Sequence, residues 1–403
     1  MTDLVIRNAR VMTCDPARPG LGMIDHGALA IDDGGITWIG DDAQAPASAE
    51  TIDARGRLVT PGLVDCHTHA IFAGDRANEF AMRAAGTPYL EIAAAGGGIQ
   101  ATLGPTRAAT DHELVELTWQ RIKRARANGT TTIEVKSGYD LTYDGELRLL
   151  RCLAEVAFDG APRIVPTLLA HLIPAERAAD RDVYVRGLVE QLVPAVAAGK
   201  LATSVDVYCD EGAFTLAEAR AILTSAKAHR LAVRGHVGQF RDLGAAELLG
   251  ELGARSADHV EQISDAGIAA LARGGVVAVM LPGACIQLHL PVPPVDKLRA
   301  AGVALAIATD LNPGSSYSEA LPLQLWLATT HYGMTVEEAW LGVTRHASHA
   351  LGVDAGTLRV GARADVVLWQ CDGPADVPYH YGTNHVDRVW IDGVTCAREW
   401  NLP

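Results

Sequence analysis

The sequence predicts an α/β protein, a (β/α)8 TIM barrel carrying a small β-sandwich-like domain formed by both termini. Three observations predict it. Both chain ends read as short strands broken by turns, and the middle alternates apolar strands with helical stretches. A histidine or aspartate also stands repeatedly where a strand would meet the following loop.

At the N-terminus, Leu4-Val5-Ile6 leads into Arg10-Val11-Met12. Ala28-Leu29-Ala30-Ile31 runs into Asp32-Asp33-Gly34-Gly35, a strong turn signal, and Ile36-Thr37-Trp38-Ile39 resumes the strand. The far end has the same texture, with strands at 364–369 and 386–391 and a hairpin-type turn at Asp392-Gly393. Residues 1–56 and 353–403 are assigned to the small β domain and 57–352 to the barrel. Within the barrel, strands are expected at 131–135, 164–169, 204–208, 231–235, 256–259, 276–280 and 304–309. Helical periodicity marks 111–127, 215–229 and 336–350. Thr215 with Glu218 three residues on is a capping-box pair, each side chain satisfying a free backbone N–H. Repeated β–α alternation implies a parallel sheet, and about eight repeats over about 300 residues favour closure. An open doubly wound sheet would carry a Gly-rich turn after its first strand, and none is found there.

The 403 residues carry a formal net charge of −14 without a basic run, which argues against nucleic acid or an anionic membrane as partner. The seven cysteines are odd in number and scattered, with no CxxC, which fits a reducing cytoplasm and argues against a disulfide framework or a thiolate zinc site. The start, MTDLVIRNAR, lacks the basic patch and apolar run of a signal peptide, and no stretch of about 18 apolar residues suggests a membrane span. A cytoplasmic enzyme with a small-molecule substrate is expected.

The strongest chemical signal is Val64-Asp65-Cys66-His67-Thr68-His69, following Pro61-Gly62. Residues two apart on a strand point to one face, so both imidazoles aim at one point. His236 ends the strand 231–235, and Asp310 ends 304–309. Each alone reads as a hydrogen-bonded core histidine or a capping aspartate. All four at the strand ends of one barrel make a three-histidine, one-carboxylate shell for one metal ion, zinc or iron, and such an ion acidifies a water near neutral pH.

These residues resemble the amidohydrolase superfamily, whose members pair a metal-containing barrel with a β domain from both termini. A closer resemblance, to the imidazolonepropionase family, is carried by several motifs. They are IFAGDRANEF at 71–80, AGGGI at 95–99, Glu134-Val135-Lys136-Ser137-Gly138-Tyr139, Ala257-Asp258-His259, Leu281-Pro282-Gly283-Ala284, ATDLNPGS at 308–315 and Pro378-Tyr379-His380-Tyr381-Gly382. The similarity spans nearly the whole chain. It implies opening of 4-imidazolone-5-propanoate to N-formimidoyl-glutamate, and a homodimer.

Under that resemblance, Arg76 clamps the substrate's carboxylate tail, since guanidinium pairs bidentately with carboxylate. Tyr139 contacts the ligand. His171, ending the strand 164–169, is expected to donate a hydrogen bond to the scissile carbonyl oxygen. His259 is expected to take a proton from the attacking water, with Asp310 sharing that role. Asn312, Gly314 and Ser315 form a turn that could hold the ligand's polar end. The plainer readings are a surface ion pair for Arg76, a packed phenol for Tyr139, structural hydrogen-bonders for His171 and His259, and an ordinary turn at 312–315.

The chain departs from the family in two places. Gly238 and Gln239 stand where many relatives carry an acid; Gln239 can hydrogen-bond the ring but cannot serve as a general base. Leu169 stands where relatives usually have glycine, which would narrow the pocket. Cys209 reads as packing, and Glu211 as a support for a ligand histidine. Three functions compete: the imidazolone hydrolase; a hydrolase of hydantoin- or thiohydantoin-propanoate, or a deaminase; and a metal-binding barrel without catalysis.

Overall fold

The computed structural model describes residues 2–87, 91, 97–156 and 160–396. In the AGGGI run, residues 95 and 96 lie outside the described residues, as does the chain beyond 396. Among the described residues, sixteen strands follow one another. The first five are β1 (Thr2–Met12), β2 (Met23–Asp32), β3 (Gly35–Asp41), β4 (Ser48–Asp53) and β5 (Leu58–Pro61). Then come β6 (Leu63–Asp65), β7 (Thr130–Lys136), β8 (Arg163–Ala170), β9 (Ser204–Cys209), β10 (Ala232–Val237), β11 (Ser256–His259), β12 (Val277–Met280) and β13 (Leu305–Ile307). The last three are β14 (Val366–Trp369), β15 (Val386–Ile391) and β16 (Val394–Cys396).

The terminal strands form one mixed sheet in the order β16-β15-β14-β5-β1-β2-β3, with β4 also on β1. The two strands expected at 4–6 and 10–12 are a single strand, β1, with register shifts around Ala9. Ahead of the irregularity β1 runs parallel to β4; beyond it, parallel to β5. One edge of the sheet therefore forks around a core that includes Ile6, Leu29, Ile36, Val366 and Trp390. Asp33 and Gly34 both have positive φ, 46° and 73°, the backbone that a two-residue hairpin turn requires. Pairing carries this sheet through Pro61, and the chain enters the barrel at Leu63.

Eight parallel strands, β6 to β13 in sequential order, form the barrel sheet. The chemistry-bearing segments close it. Thr68 bridges Leu311, the His69 N–H donates to the Leu311 carbonyl (2.8 Å), and the Asp310 N–H donates to the His67 carbonyl (3.1 Å). Beneath them the buried Asp65 carboxylate accepts from the Thr309 N–H and hydroxyl. Closure itself therefore brings the HxH pair beside Asp310.

The capping box at Thr215 and Glu218 is formed, and the same spacing caps two more helices at Thr110/Glu113 and Thr335/Glu338. The expected helix over 336–350 is instead two, Val336–Gly342 and Arg345–Leu351. They part at Thr344, whose backbone leaves the helical region (φ −129°, ψ −105°) while its hydroxyl bonds back to the Trp340 carbonyl. All seven cysteines are free, and no described helix is long and apolar enough to cross a membrane.

Candidate active site at the barrel mouth

His67, His69, His236 and Asp310 converge at the C-terminal ends of the barrel strands. Asp310 Oδ1 lies 3.5 Å from His67 Nε2 and 3.5 Å from His69 Nε2, and the His69 and His236 Nε2 atoms are 3.4 Å apart. In a tetrahedral zinc site with bonds of about 2.0–2.1 Å, ligand atoms stand about 3.3–3.4 Å apart. The donor set fits such an ion in protonation as well. Burial, reinforced for His67 by Lys136 and for His69 by His236, holds both imidazoles well below the ordinary histidine range, in the neutral form that ligates. His67 Nε2 has no hydrogen-bond partner among the described residues. His259 also stands close: one nitrogen each of His67, His236 and His259 lie within 4.8 Å of one another.

Below the histidines is a layer of buried ions. His67 Nδ1 bonds the Asp258 carboxylate (2.6 Å) and His236 Nδ1 bonds Asp206 (2.9 Å), which turns each Nε2 lone pair towards the centre. Lys136 Nζ donates to Glu134 and Asp206, both at 2.7 Å. Arg234 donates to Glu134 (3.0 Å), Asp258 (3.2 Å) and the Cys66 carbonyl (2.6 Å). Burial alone would raise the Asp206 carboxyl, but His236, Lys136 and Arg234 pull it well below the usual range. Strand alternation places these groups: Glu134 and Lys136 share one face of β7, and Arg234 and His236 share one face of β10.

Above the cluster opens a cavity of about 440 Å³, a size suited to one small ligand. Arg76, Tyr139, His171, Gln239, His259, Asn312, Gly314 and Ser315 all line it, beside His69, His236 and Asp310. The buried Tyr139 phenol is pushed up by burial first and by Asp310 second, so it stays protonated. The Tyr208 hydroxyl donates to Gln239 Oε1 (2.9 Å), which leaves the Gln239 amide nitrogen as a donor. Burial raises the Asp310 carboxyl against the opposing pull of His259 and His236. Burial lowers the His259 imidazole, but the Glu261, Asp310 and Asp258 carboxylates more than reverse this; Glu261 Oε1 is 3.8 Å from Nδ1.

Four expectations need correction. His171 Nδ1 donates to the Gly138 carbonyl (2.9 Å), and burial lowers its pKa to about 4. A neutral His171 therefore offers Nε2 as an acceptor, not as a donor to a carbonyl oxygen. Glu211 is exposed and paired with Arg241, so the carboxylates behind His67 and His236 are Asp258 and Asp206. Leu169 is buried against Gly138 and does not line the cavity. The Asn312 amide is committed to its own turn, accepting from the Gly314 and Ser315 N–H groups and donating to the Asp310 carbonyl. Cys209 is buried with its thiol pushed up to about 12, as packing requires. Sequence reasoning missed Tyr208, Glu79 and Arg83, all of which line the cavity. For Glu79 and Arg83 a signal existed, since positions 76, 79 and 83 have one-face helical spacing.

A barrel with a buried cluster of histidines and an aspartate at its strand ends, joined to a sheet from both termini, is the architecture of an amidohydrolase. The chain belongs to the amidohydrolase family, whose model matches residues 58–396. Structural neighbours agree on the fold. An adenosine deaminase from Xanthomonas campestris with bound zinc superposes with a TM-score of 0.72 at 20% identity, over 98% of this chain and 92% of that one. A triazine hydrolase variant gives 0.72 at 17% identity, over 97% and 94%.

Sequence relatives narrow the placement to the imidazolonepropionases, to which the chain belongs. The enzyme of that name from Caulobacter vibrioides (strain NA1000 / CB15N) is 45% identical over 395 residues, 96% of this chain and 98% of that protein. The one from Acidiphilium cryptum (strain JF-5) is 44% identical over 398 residues, 97% and 99%.

Proposed function

We propose that the chain hydrolyses the cyclic amide of 4-imidazolone-5-propanoate to N-formimidoyl-L-glutamate, a step of histidine degradation. One observation supports this reading: a histidine and aspartate cluster able to hold a cation and a rim carrying Arg76 and Arg83 share one cavity sized for a single small ring. His67, His69, His236 and Asp310 would hold one ion, zinc or iron, which when bound polarises the carbonyl and acidifies a water.

The protein's own groups do the rest. Arg76 binds the tail carboxylate at the rim. Tyr139, held protonated, donates to the ring's polar edge. Neutral His171 accepts from a ring N–H, and the Gln239 amide nitrogen, oriented by Tyr208, donates to the ring. Asp310 and His259 stand together on the cluster side of the cavity. There they take the proton of the attacking water and deliver it to the ring nitrogen as its bond to the carbonyl carbon breaks. The products are a new carboxylate and a formimidoyl group on the remaining nitrogen.

The test is a panel of five-membered cyclic amides assayed by absorbance with zinc-loaded and iron-loaded protein. Turnover of the imidazolone propanoate is expected to exceed that of the others. Activity on hydantoin propanoate but not on the imidazolone would replace the substrate assignment. Absence of stoichiometric metal would remove the hydrolytic site altogether.

A further inference from the structure

Arg76 is not a free cation. Its Nε and Nη2 donate to the two carboxylate oxygens of Glu79, at 2.8 and 2.7 Å, and Glu79 Oε2 also accepts from the Gly98 N–H (2.8 Å). Glu79 is only 6% exposed. Its carboxyl, which burial would raise, is brought below the usual range by Arg76 and Gly98. A bidentate buried pair of this kind has little net charge with which to attract an anion. The side edge of the guanidinium is occupied; Nη1 and the outer N–H of Nη2 remain.

That remaining edge is held in place from the other side. A Cβ placed on Gly314 would lie 2.3 Å from Arg76 Nη1, so the Gly314 backbone is packed directly against the guanidinium. The Gly314 carbonyl in turn accepts from Arg83 Nη2 (2.9 Å). Arg76 stands at the N-cap position of the helix Ala77–Ala84, with Glu79 and Arg83 three and seven positions on, so the three side chains rise on one side of the helix. All three line the cavity. Two cations and one anion leave a single positive charge.

We propose that Glu79, Arg76 and Arg83 form one charge-balanced subsite for a single carboxylate. Glu79 locks Arg76 so that its end-on edge meets the ligand, and Arg83 supplies the net charge and further N–H donors. This deepens the functional reading above and rests on it for the identity of the tail. Glu79 is then a positioning residue, and Arg83 a second carboxylate-binding residue beside Arg76.

The test uses the full-length, metal-loaded enzyme with imidazolone propanoate and with the corresponding propanamide, which keeps the ring and lacks the charge. Arg83→Met is expected to raise KM for the propanoate about 10- to 100-fold, the size of a lost charge-assisted hydrogen bond, while kcat/KM for the propanamide moves within about threefold. Equal losses on both substrates would mean that Arg83 merely staples the Gly314 loop, and no loss on either would remove it from the subsite; both overturn the proposal. Glu79→Gln separates positioning from charge. It adds positive charge to the rim, so simple attraction would lower KM for the propanoate, whereas loss of the lock raises it. A lowered KM overturns the positioning role. If the wild-type enzyme turns over neither compound, the functional reading fails on its own. Calorimetric binding of imidazole propanoate against imidazole propanamide then tests the subsite directly. Wild type is expected to prefer the propanoate and Arg83→Met to lose most of that preference; an unchanged preference overturns the proposal.

Discussion

The floor of the site and its rim recognise charge in different ways. On the floor, Glu134, Lys136, Asp206, Arg234 and Asp258 are at most 1% exposed, sit on barrel strands and pair with one another and with His67 and His236. On the rim, Arg76 and Arg83 are partly exposed and are held by a short helix and a loop. A dry ion is tolerated only when paired, so each floor residue is committed to its neighbours. The rim retains donors for a ligand that comes and goes. Substitutions in the floor should therefore change metal content and turnover, and substitutions in the rim should change substrate affinity.

The largest effect tests that division at the cluster. His236→Ala is expected to lose bound metal and essentially all turnover, read by elemental analysis beside the assay; stoichiometric metal in the variant would remove His236 from the shell. Asp310→Asn is expected to lower kcat about 10²- to 10⁴-fold, the span of a general base, and near-normal turnover would exclude its proton role. One layer down, Asp206→Asn should weaken metal binding about 10- to 100-fold by freeing His236 Nδ1, measured by chelator competition on protein whose circular dichroism is unchanged. Unaltered affinity would break the link between the floor and the cluster. At the rim, Arg76→Ala should raise KM about 10-fold or more while metal content and kcat hold. Loss of metal there would dissolve the distinction between rim and floor.

The barrel was legible because its strands recur between helices with recognisable caps, and the cluster because HxH and the strand-end residues sit where barrels place their chemistry. The ion layer was less so. Its charges occupy strands buried on both faces, where polarity does not alternate and the inward side cannot be picked out by hydropathy. The partners of the clustered histidines are remote in sequence, Asp258 lying 191 residues from His67. Glu211, just past the end of β9, faces solvent, while Asp206 within β9 bonds His236 Nδ1. Which His171 nitrogen carries the proton turns on a backbone carbonyl of the neighbouring loop, a contact that no sequence pattern announces. The break at Thr344 arises from a local hydroxyl bond within a pattern that otherwise reads as one helix.

The smallest expected effect lies where floor and rim meet. Tyr208 rises from β9 and its hydroxyl fixes the Gln239 carbonyl oxygen, while Asp210, just past the same strand, accepts the backbone N–H groups of Gln239, Phe240 and Arg241. The loop after β10 is thus fastened by its backbone, and only the orientation of one amide depends on the phenol. Tyr208→Phe leaves the backbone anchor intact but lets the amide turn either way, so about half of the molecules would present oxygen instead of nitrogen to the ring. The loss is that of one neutral hydrogen bond, roughly 2- to 10-fold in kcat/KM, with metal content unchanged. Gln239→Ala should cost a similar amount, and the double variant little more, because both act through one contact. Additive losses would show that Tyr208 reaches the substrate by a route of its own.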